Sequence, residues 1–278
     1  MITETTRVRT SRRSALMLAS TPLVLLLTHY LAVLPHEFTH SFLAWVLGIK
    51  ANPWLIDWGG DSLLNILLLV HINENVDYQS ALDAGKTLTV AVVALSGPLL
   101  ANGGMYLIFR RLSATAWVKA RPFASWIVLW FIVVNLGNLW CYIPIRAFAA
   151  DGDFRHFIWA TGASPWLLYA VVGYLVLWGL VDFYRRVLPN ALDASGLLAT
   201  WARALVLVVS TGVIFAYFAI PGFLETDAVS LFIAGTSVLA IPPVLLAAWR
   251  RVTPGSEACA AIDDGRQITR DDRDLIRR

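Results

Sequence analysis

Long runs without a formal charge constrain the fold of this chain more than any other feature of its sequence. A helix needs about 20 apolar residues to cross the hydrocarbon core of a bilayer. Runs of that length occupy residues 87–109, 123–145, 157–181, 204–224 and 228–249. We predict a membrane-spanning helix for each of them.

The first apolar stretch, residues 14–47, is longer than a bilayer requires. Glu37 is its only formal charge, and as a continuous helix it would be about 51 Å long. Pro22 and Pro35 are potential kink points. We predict one long, broken or tilted helix, with two shorter helices as the alternative. The stretch exceeds the apolar core of a signal peptide, so we expect a retained membrane anchor.

The composition agrees with an all-α, polytopic membrane protein of about six transmembrane helices. Of 278 residues, 58% are hydrophobic and 15% are charged, and twelve are tryptophan, a residue enriched at membrane interfaces. A soluble protein of this size has too little interior to cover so much apolar surface. The composition therefore excludes a soluble enzyme and a disordered hub.

The distribution of charged residues predicts four regions along the chain. They are a polar basic N-terminal tail (1–13), a membrane-embedded core (14–161), C-terminal transmembrane helices (162–250) and a polar, disordered tail (251–278). Within the core, residues 51–85 include Gly59, Gly60 and a charge-free piece too short to span a bilayer. We expect a re-entrant or hairpin element there.

Lysine and arginine are unevenly divided among the connections between the predicted spans. Four lie in the N-terminal tail, four between Arg110 and Arg121, and three between Arg185 and Arg203, whereas the opposite connections are rich in acidic residues. With six spans, the positive-inside rule places both termini in the cytoplasm, and we expect the plasma (inner) membrane. Most of the arginines flank apolar runs, where the topology in a lipid bilayer explains them. The net charge of +3 therefore does not indicate a nucleic-acid partner, and we expect none.

A metal-binding pattern lies inside the first apolar stretch. It is His36-Glu37-Phe38-Thr39-His40, an HExxH sequence. On a helix this spacing puts both imidazoles on one face, about one turn apart, where they can share a zinc ion. Glu37 projects beside them and can take a proton from a water that the metal activates. Ionisable groups at membrane depth are costly, which favours a metal site over a chance match.

A third ligand should come from another helix end on the same side of the membrane. Asp151, in Ala150-Asp151-Gly152-Asp153, follows the third span and meets this condition. Asp-Gly alone is typical of a turn, and only its combination with HExxH favours a ligand. Asp153 is the alternative ligand.

Three segments in this order resemble the site-2 protease family of intramembrane metalloproteases. They are the HExxH sequence, then Ser96-Gly97-Pro98-Leu99-Leu100-Ala101-Asn102, then the stretch from Asn138 through Pro144 to Asp151-Gly152. The resemblance covers roughly residues 33–153. It implies a three-helix core, zinc bound by His36, His40 and Asp151, Glu37 as the general base, and a transmembrane or membrane-adjacent protein substrate.

The same resemblance implies that further residues bind substrate or line the active site: Gly97, Pro98, Asn102, Asn135 and Asn138. An asparagine within a span can instead bond a neighbouring helix. The family's site commonly lies nearer the cytoplasmic face, whereas the charge distribution places the HExxH end of this chain on the opposite face. Both orientations therefore stay open.

The sequence thus predicts a zinc-dependent intramembrane endopeptidase. The alternative is a non-proteolytic membrane metal-binding protein that scaffolds or regulates a partner. A purely structural metal site has no need for Glu37, which favours the protease. A transporter would require further polar residues along several spans, and the last two spans contain almost none.

Overall fold

A computed structural model of the chain describes residues 4–69 and 71–253, and within these residues it contains helices and no strand. The helices are α1 (Glu4–Val46), α2 (Leu63–Leu68), α3 (Tyr78–Asp83), α4 (Thr87–Ser113), α5 (Ala116–Lys119), α6 (Pro122–Ile145), α7 (Asp153–Thr161), α8 (Pro165–Ser195), α9 (Thr200–Leu224) and α10 (Ala228–Val252). Six of them, α1, α4, α6, α8, α9 and α10, are long and apolar enough to span a membrane. The prediction of an all-α, polytopic membrane protein is confirmed.

Helix α1 is continuous over 43 residues and contains both Pro22 and Pro35. At 1.5 Å per residue it is about 65 Å long, which exceeds the thickness of a bilayer. One long helix is therefore the correct interpretation of the first apolar stretch. The helix begins at Glu4, so residues 4–13 of the expected basic tail belong to it. Residues 254–278, expected to form the polar C-terminal tail, lie outside the described residues.

The fourth span begins and ends later than its charge-free run predicts. Residues 157–181 were expected to form one helix, but α7 ends at Thr161 and α8 runs from Pro165 to Ser195. Gly162 adopts a left-handed conformation at φ +70°, and Pro165 is the first residue of the next helix. Glycine after a helix and proline at its first turn are typical end and start signals, so the break has a local cause.

Residues 47–86 form a folded connection over the end of α1. An isolated antiparallel bridge joins Asp57 to Asn73, with N···O distances of 2.9 and 3.0 Å. The Lys50 ammonium donates to the backbone carbonyls of Leu55 (2.7 Å) and Asn75 (2.9 Å), and also to that of Glu74. Apolar residues of this connection pack against α1: Ile56, Leu69 and Ile72. The connection is thereby held against the helix that carries the HExxH sequence.

Helix α6 lies at the centre of the bundle and packs against α1, α4, α8 and α9. In its most apolar 18-residue window, 83% of the residues are buried. A helix that is apolar on every side is expected in such a position. Its Gly137 allows the ring of Phe218 on α9 to lie directly against the backbone, because a Cβ there would overlap the ring.

The spans alternate in direction, and this brings three connections to one face of the bundle, which we call the site face. Lys86, just before α4, donates to the carbonyl of Gly48, just after α1, at 2.9 Å. Arg146, after α6, pairs with Glu225, after α9, at 2.6 Å. The site face therefore carries residues 47–86, 146–164 and 225–227, and the C-terminal end of α1 with its HExxH sequence is next to it.

The topology can be tested by cysteine labelling in a Cys259→Ser background, where the remaining Cys141 is buried. An Ala114→Cys variant should react only from the cytoplasmic side, and Gln79→Cys, near Asn75, only from the opposite side, because basic residues flank the first position. A membrane-impermeant maleimide applied to intact and permeabilised cells measures this. Reversed labelling would contradict the cytoplasmic assignment of the termini, and labelling of both positions from one side would contradict the alternation of the spans.

Candidate metal centre

Two histidines and one aspartate converge at the buried end of α1. The Nε2 atoms of His36 and His40 are 3.1 Å apart. Asp153, the first residue of α7, places Oδ2 3.1 Å from His36 Nε2 and Oδ1 3.3 Å from His40 Nε2. All three residues are buried. These donor atoms lie close enough together to bind one metal ion.

The expectation that Asp151 joins the histidines is wrong in this structure, and Asp153 takes that place. The Asp151 side chain is 82% exposed and lies 3.4 Å from His156 Nε2. The cause is Gly152, whose φ of +103° turns the chain between the two carboxylates just before α7 begins. Because α7 packs against α4, its first residue faces the bundle, while Asp151 remains in the connection outside it.

Hydrogen bonds to the other ring nitrogen fix the orientation of each imidazole. His36 Nδ1 lies 2.6 Å from Asn102 Oδ1, and His40 Nδ1 lies 2.6 Å from the carbonyl of Val93. A carbonyl oxygen can only accept, so each Nδ1 carries a proton, and in the neutral form of each ring the lone pair is on Nε2. Two lone pairs and a carboxylate therefore face one another.

This donor set fits a divalent metal ion. Unprotonated nitrogens and carboxylate oxygens at these separations repel one another unless a positive charge lies among them. Two imidazoles and one carboxylate form a common ligand set for zinc, and other first-row metals accept the same donors. Burial by itself would raise the pKa of Asp153, but the adjacent His40 and hydrogen bonding with both histidines hold that pKa well below its usual range. A low pKa favours the carboxylate form of Asp153, which is the form that binds a metal ion.

Two asparagines from other helices, Asn102 and Asn135, form a chain of hydrogen bonds that ends at Nδ1 of His36. Asn102 Nδ2 donates to Asn135 Oδ1 at 3.1 Å and to the carbonyl of Ala32 at 3.2 Å, which leaves its Oδ1 for His36. Asn135 Nδ2 in turn donates to the carbonyl of Phe131 at 2.9 Å. Asn102 and Asn135 are fully buried, so the structure places them behind the histidine and not on a substrate surface. Asn138 differs, because it borders a cavity and bonds only its own helix, at Val134.

Gly97 lies directly against the two imidazoles. A Cβ at this position would overlap Nε2 of both His36 and His40, so no other residue fits without displacing a ring. Gly97 and the buried Pro98 belong to a π-helical segment of α4, Ser96–Gly103. Such distortions of an α-helix often occur at functional sites. The segment brings the backbone of α4 close to the histidines and also carries Asn102.

Glu37 is buried beside the histidines but is not part of the converging donor group. Its carboxyl group is hydrogen-bonded to the carboxyl group of Glu74, from the connection between α1 and α4. Glu74 Oε1 accepts a hydrogen bond from the Tyr78 hydroxyl at 2.6 Å. A hydrogen bond between two carboxyl groups requires a proton on one of them. Glu74 therefore reaches from the connection to the residue expected to act as base.

Two adjoining cavities border the candidate metal centre and Glu37. The larger, about 890 Å³, is mostly polar, and its wall includes His36, Glu37, Glu74 and Asp153. The smaller, about 340 Å³, extends towards α9 and has an apolar wall that includes Phe218 and Leu224. Glu37 lies in the wall of both cavities. A molecule in either cavity can therefore approach the candidate base.

Sequence reasoning missed two residues at this site, Glu74 and Tyr142. The Tyr142 hydroxyl lies 3.0 Å from His36 Nε2, and its ring stacks on the imidazole with centroids 4.9 Å apart. Tyr142 follows Asn138 by four residues and so lies on the same helix face. This spacing could have identified Tyr142 from the sequence. Glu74 comes from a connection without periodicity, and nothing in the sequence places it beside Glu37.

Comparison of the chain with protein-family models, characterised proteins and solved structures finds no match. The resemblance to the site-2 protease family consequently rests on the residues of the three segments alone.

The assignment of the aspartate predicts that Asp153→Ala loses bound zinc, because two histidines remain as the only protein donors. Asp151→Ala is the matched control, with the same substitution two residues away, and should keep the zinc content of the parent. Metal analysis of both proteins after purification in detergent and dialysis decides the matter. Zinc lost from Asp151→Ala and kept by Asp153→Ala would reverse the assignment.

The contact between Asn102 and His36 predicts a second effect on metal affinity. Asn102→Ala removes the acceptor of the His36 Nδ1 proton and should weaken zinc binding about 10- to 100-fold. Asn138→Ala removes an amide that bonds only its own helix, so its affinity should stay within about threefold of the parent. Competition with a fluorescent zinc chelator measures both, and equal affinities for the two variants would show that Asn102 does not orient His36.

Proposed function

We propose that the chain is an intramembrane zinc metalloprotease that hydrolyses peptide bonds of membrane-embedded or membrane-adjacent proteins. The observation that carries the proposal is the buried convergence of His36, His40 and Asp153 with Glu37 beside it, in the wall of a polar cavity. The HExxH sequence supplies a base as well as ligands, and a purely structural metal site does not need a base.

His36, His40 and Asp153 would hold the metal through two nitrogens and a carboxylate. When bound, zinc supplies Lewis acidity, which polarises a peptide carbonyl and makes a water molecule more acidic. The hydrogen bonds from Nδ1 to Asn102 and Val93 keep both Nε2 lone pairs directed to the same point.

Glu37 would act as general base and then as general acid. Its carboxylate takes a proton from the attacking water as the bond between the water oxygen and the carbonyl carbon forms. It returns that proton to the peptide nitrogen as the carbon–nitrogen bond breaks. The hydrogen bond with Glu74 would hold the Glu37 side chain in place.

The cavities indicate how a substrate would lie. A peptide carbonyl in a membrane helix is already hydrogen-bonded, so the substrate must be locally unwound before hydrolysis. The larger cavity adjoins the connections on the site face and is lined by polar groups that can bond an unwound backbone. The smaller cavity presents apolar side chains of α9. We infer that the C-terminal part of α9, residues 217–224, contributes to substrate binding as well as to the fold.

The role of Glu37 predicts that Glu37→Gln keeps bound zinc but slows hydrolysis about 10²- to 10⁴-fold, because the amide retains the shape and cannot accept the proton. The measurement uses purified protein with fluorescent casein and a set of single-span model substrates, alongside metal analysis. Asp83→Asn is the control, since it removes an exposed carboxylate that is in the wall of neither cavity, and it should cleave at the parent rate.

Cleavage by Glu37→Gln at the parent rate would show that Glu37 is not the base. A zinc-loaded parent that cleaves none of these substrates would instead favour the alternative, a metal-binding membrane protein that acts on a partner without proteolysis.

A further inference from the structure

Tyr142 lies in the last turn of α6, where the helix is distorted before Pro144. Its ring is nearly parallel to that of His36, with an interplanar angle of 7°. Its hydroxyl is 3.0 Å from His36 Nε2, the same atom that faces His40 and Asp153. The phenol is therefore directed at the point where the donor atoms converge.

The His36 Nε2 lone pair can accept the phenol proton or bind a metal ion, but not both. His36 Nδ1 is already engaged with Asn102, so Nε2 is the only acceptor that the ring offers to Tyr142. A metal ion on Nε2 therefore releases the Tyr142 hydroxyl as a donor beside the metal. The freed hydroxyl lies in the wall of both cavities, where an oxygen of a bound substrate can accept its hydrogen bond.

We propose that Tyr142 is a further catalytic residue, whose hydroxyl donates a hydrogen bond to the carbonyl oxygen of the scissile peptide. This inference rests on the proposed protease function. Like Glu37, Tyr142 lies in the wall of both cavities, so base and donor meet a substrate at one junction. A donor placed where negative charge develops stabilises the transition state more than the bound substrate.

The proton balance of the step needs no further group. As water oxygen bonds to the carbonyl carbon, the π electrons move to the carbonyl oxygen, and the Tyr142 O–H donates to that oxygen without transferring its proton. Glu37 holds the proton lost by water. When the carbon–nitrogen bond breaks, Glu37 gives this proton to nitrogen, the carbonyl re-forms, and Tyr142 keeps its own proton.

The test compares the zinc-loaded parent with Tyr142→Phe, which keeps the ring on His36 and removes only the hydroxyl. Zinc affinity should stay within about threefold. Acetohydroxamate, a small metal-binding oxyanion, should bind the variant about tenfold more weakly, and kcat for fluorescent casein should fall about 10²-fold with KM within about threefold. Isothermal titration and steady-state kinetics provide these values.

Tyr184→Phe is the matched control, since it removes a buried hydroxyl that bonds Thr211 at 3.0 Å in the apolar core. It should match the parent in acetohydroxamate affinity and kcat. A second variant, Tyr142→Leu, also removes the stacked ring and should weaken zinc binding as well, because His36 loses a neighbour that orients it.

Parent-like acetohydroxamate affinity and kcat in Tyr142→Phe would overturn the inference. Loss of zinc stoichiometry in that variant would also overturn it, because the phenol would then be a metal ligand. Failure of the proposed function looks different: the parent binds zinc and acetohydroxamate but cleaves no peptide. The acetohydroxamate comparison still tests the Tyr142 hydrogen bond in that case.

Discussion

Three groups with unshared electron pairs, two imidazole nitrogens and one carboxylate, face one another inside a helical bundle. Each is costly to bury without a partner, and together they repel unless a cation lies among them. The surrounding structure keeps them in this arrangement. His36 and His40 come from α1, Asp153 begins α7, and acceptors on α4 hold the Nδ1 protons away from the centre. A metal ion is the simplest way to stabilise such an arrangement.

The rest of the bundle can be understood as support for that centre. The π-helical segment of α4 brings Gly97 against the imidazoles and places Asn102 behind His36, while α6 supplies Asn135 to orient Asn102. These contacts are between buried groups on packed helices, so they fix ring positions closely. The connection between α1 and α4 adds Glu74 beside Glu37. Helices thus hold the donor atoms, and a connection on the site face contacts Glu37.

Much of the fold could be predicted from the sequence, because charge-free length is a direct physical requirement of a membrane span. The pairing of His36 with His40 could also be predicted from the sequence, since i, i+4 spacing on a helix places both side chains on one face. The predicted fourth span began too early in the sequence, because the prediction used only the absence of charged residues. It did not take into account Gly162, which ends one helix, and Pro165, which starts the next.

Other features of the site depend on geometry that the sequence does not display. Asp151 and Asp153 are the same residue type on either side of Gly152, so the sequence does not distinguish them as ligands. The positive φ of Gly152 and the start of α7 decide which carboxylate faces the histidines. Asn102 was expected to line the site. Because α4 packs closely against α1, its side chain instead contacts Nδ1 of His36, on the side of the ring that faces away from the converging donor atoms. The contact between Glu37 and Glu74 joins residues far apart in sequence, so local patterns could not predict it.

The converging donor atoms of His36, His40 and Asp153 should bind one metal ion. Zinc K-edge X-ray absorption of the purified protein tests this binding, together with metal analysis of the parent and of a His36→Ala, His40→Ala double variant. We expect near-stoichiometric zinc, two imidazole ligands with the remaining donors oxygen, and loss of the metal in the double variant. A parent without zinc, sulfur ligation, or zinc retained by the double variant would contradict it.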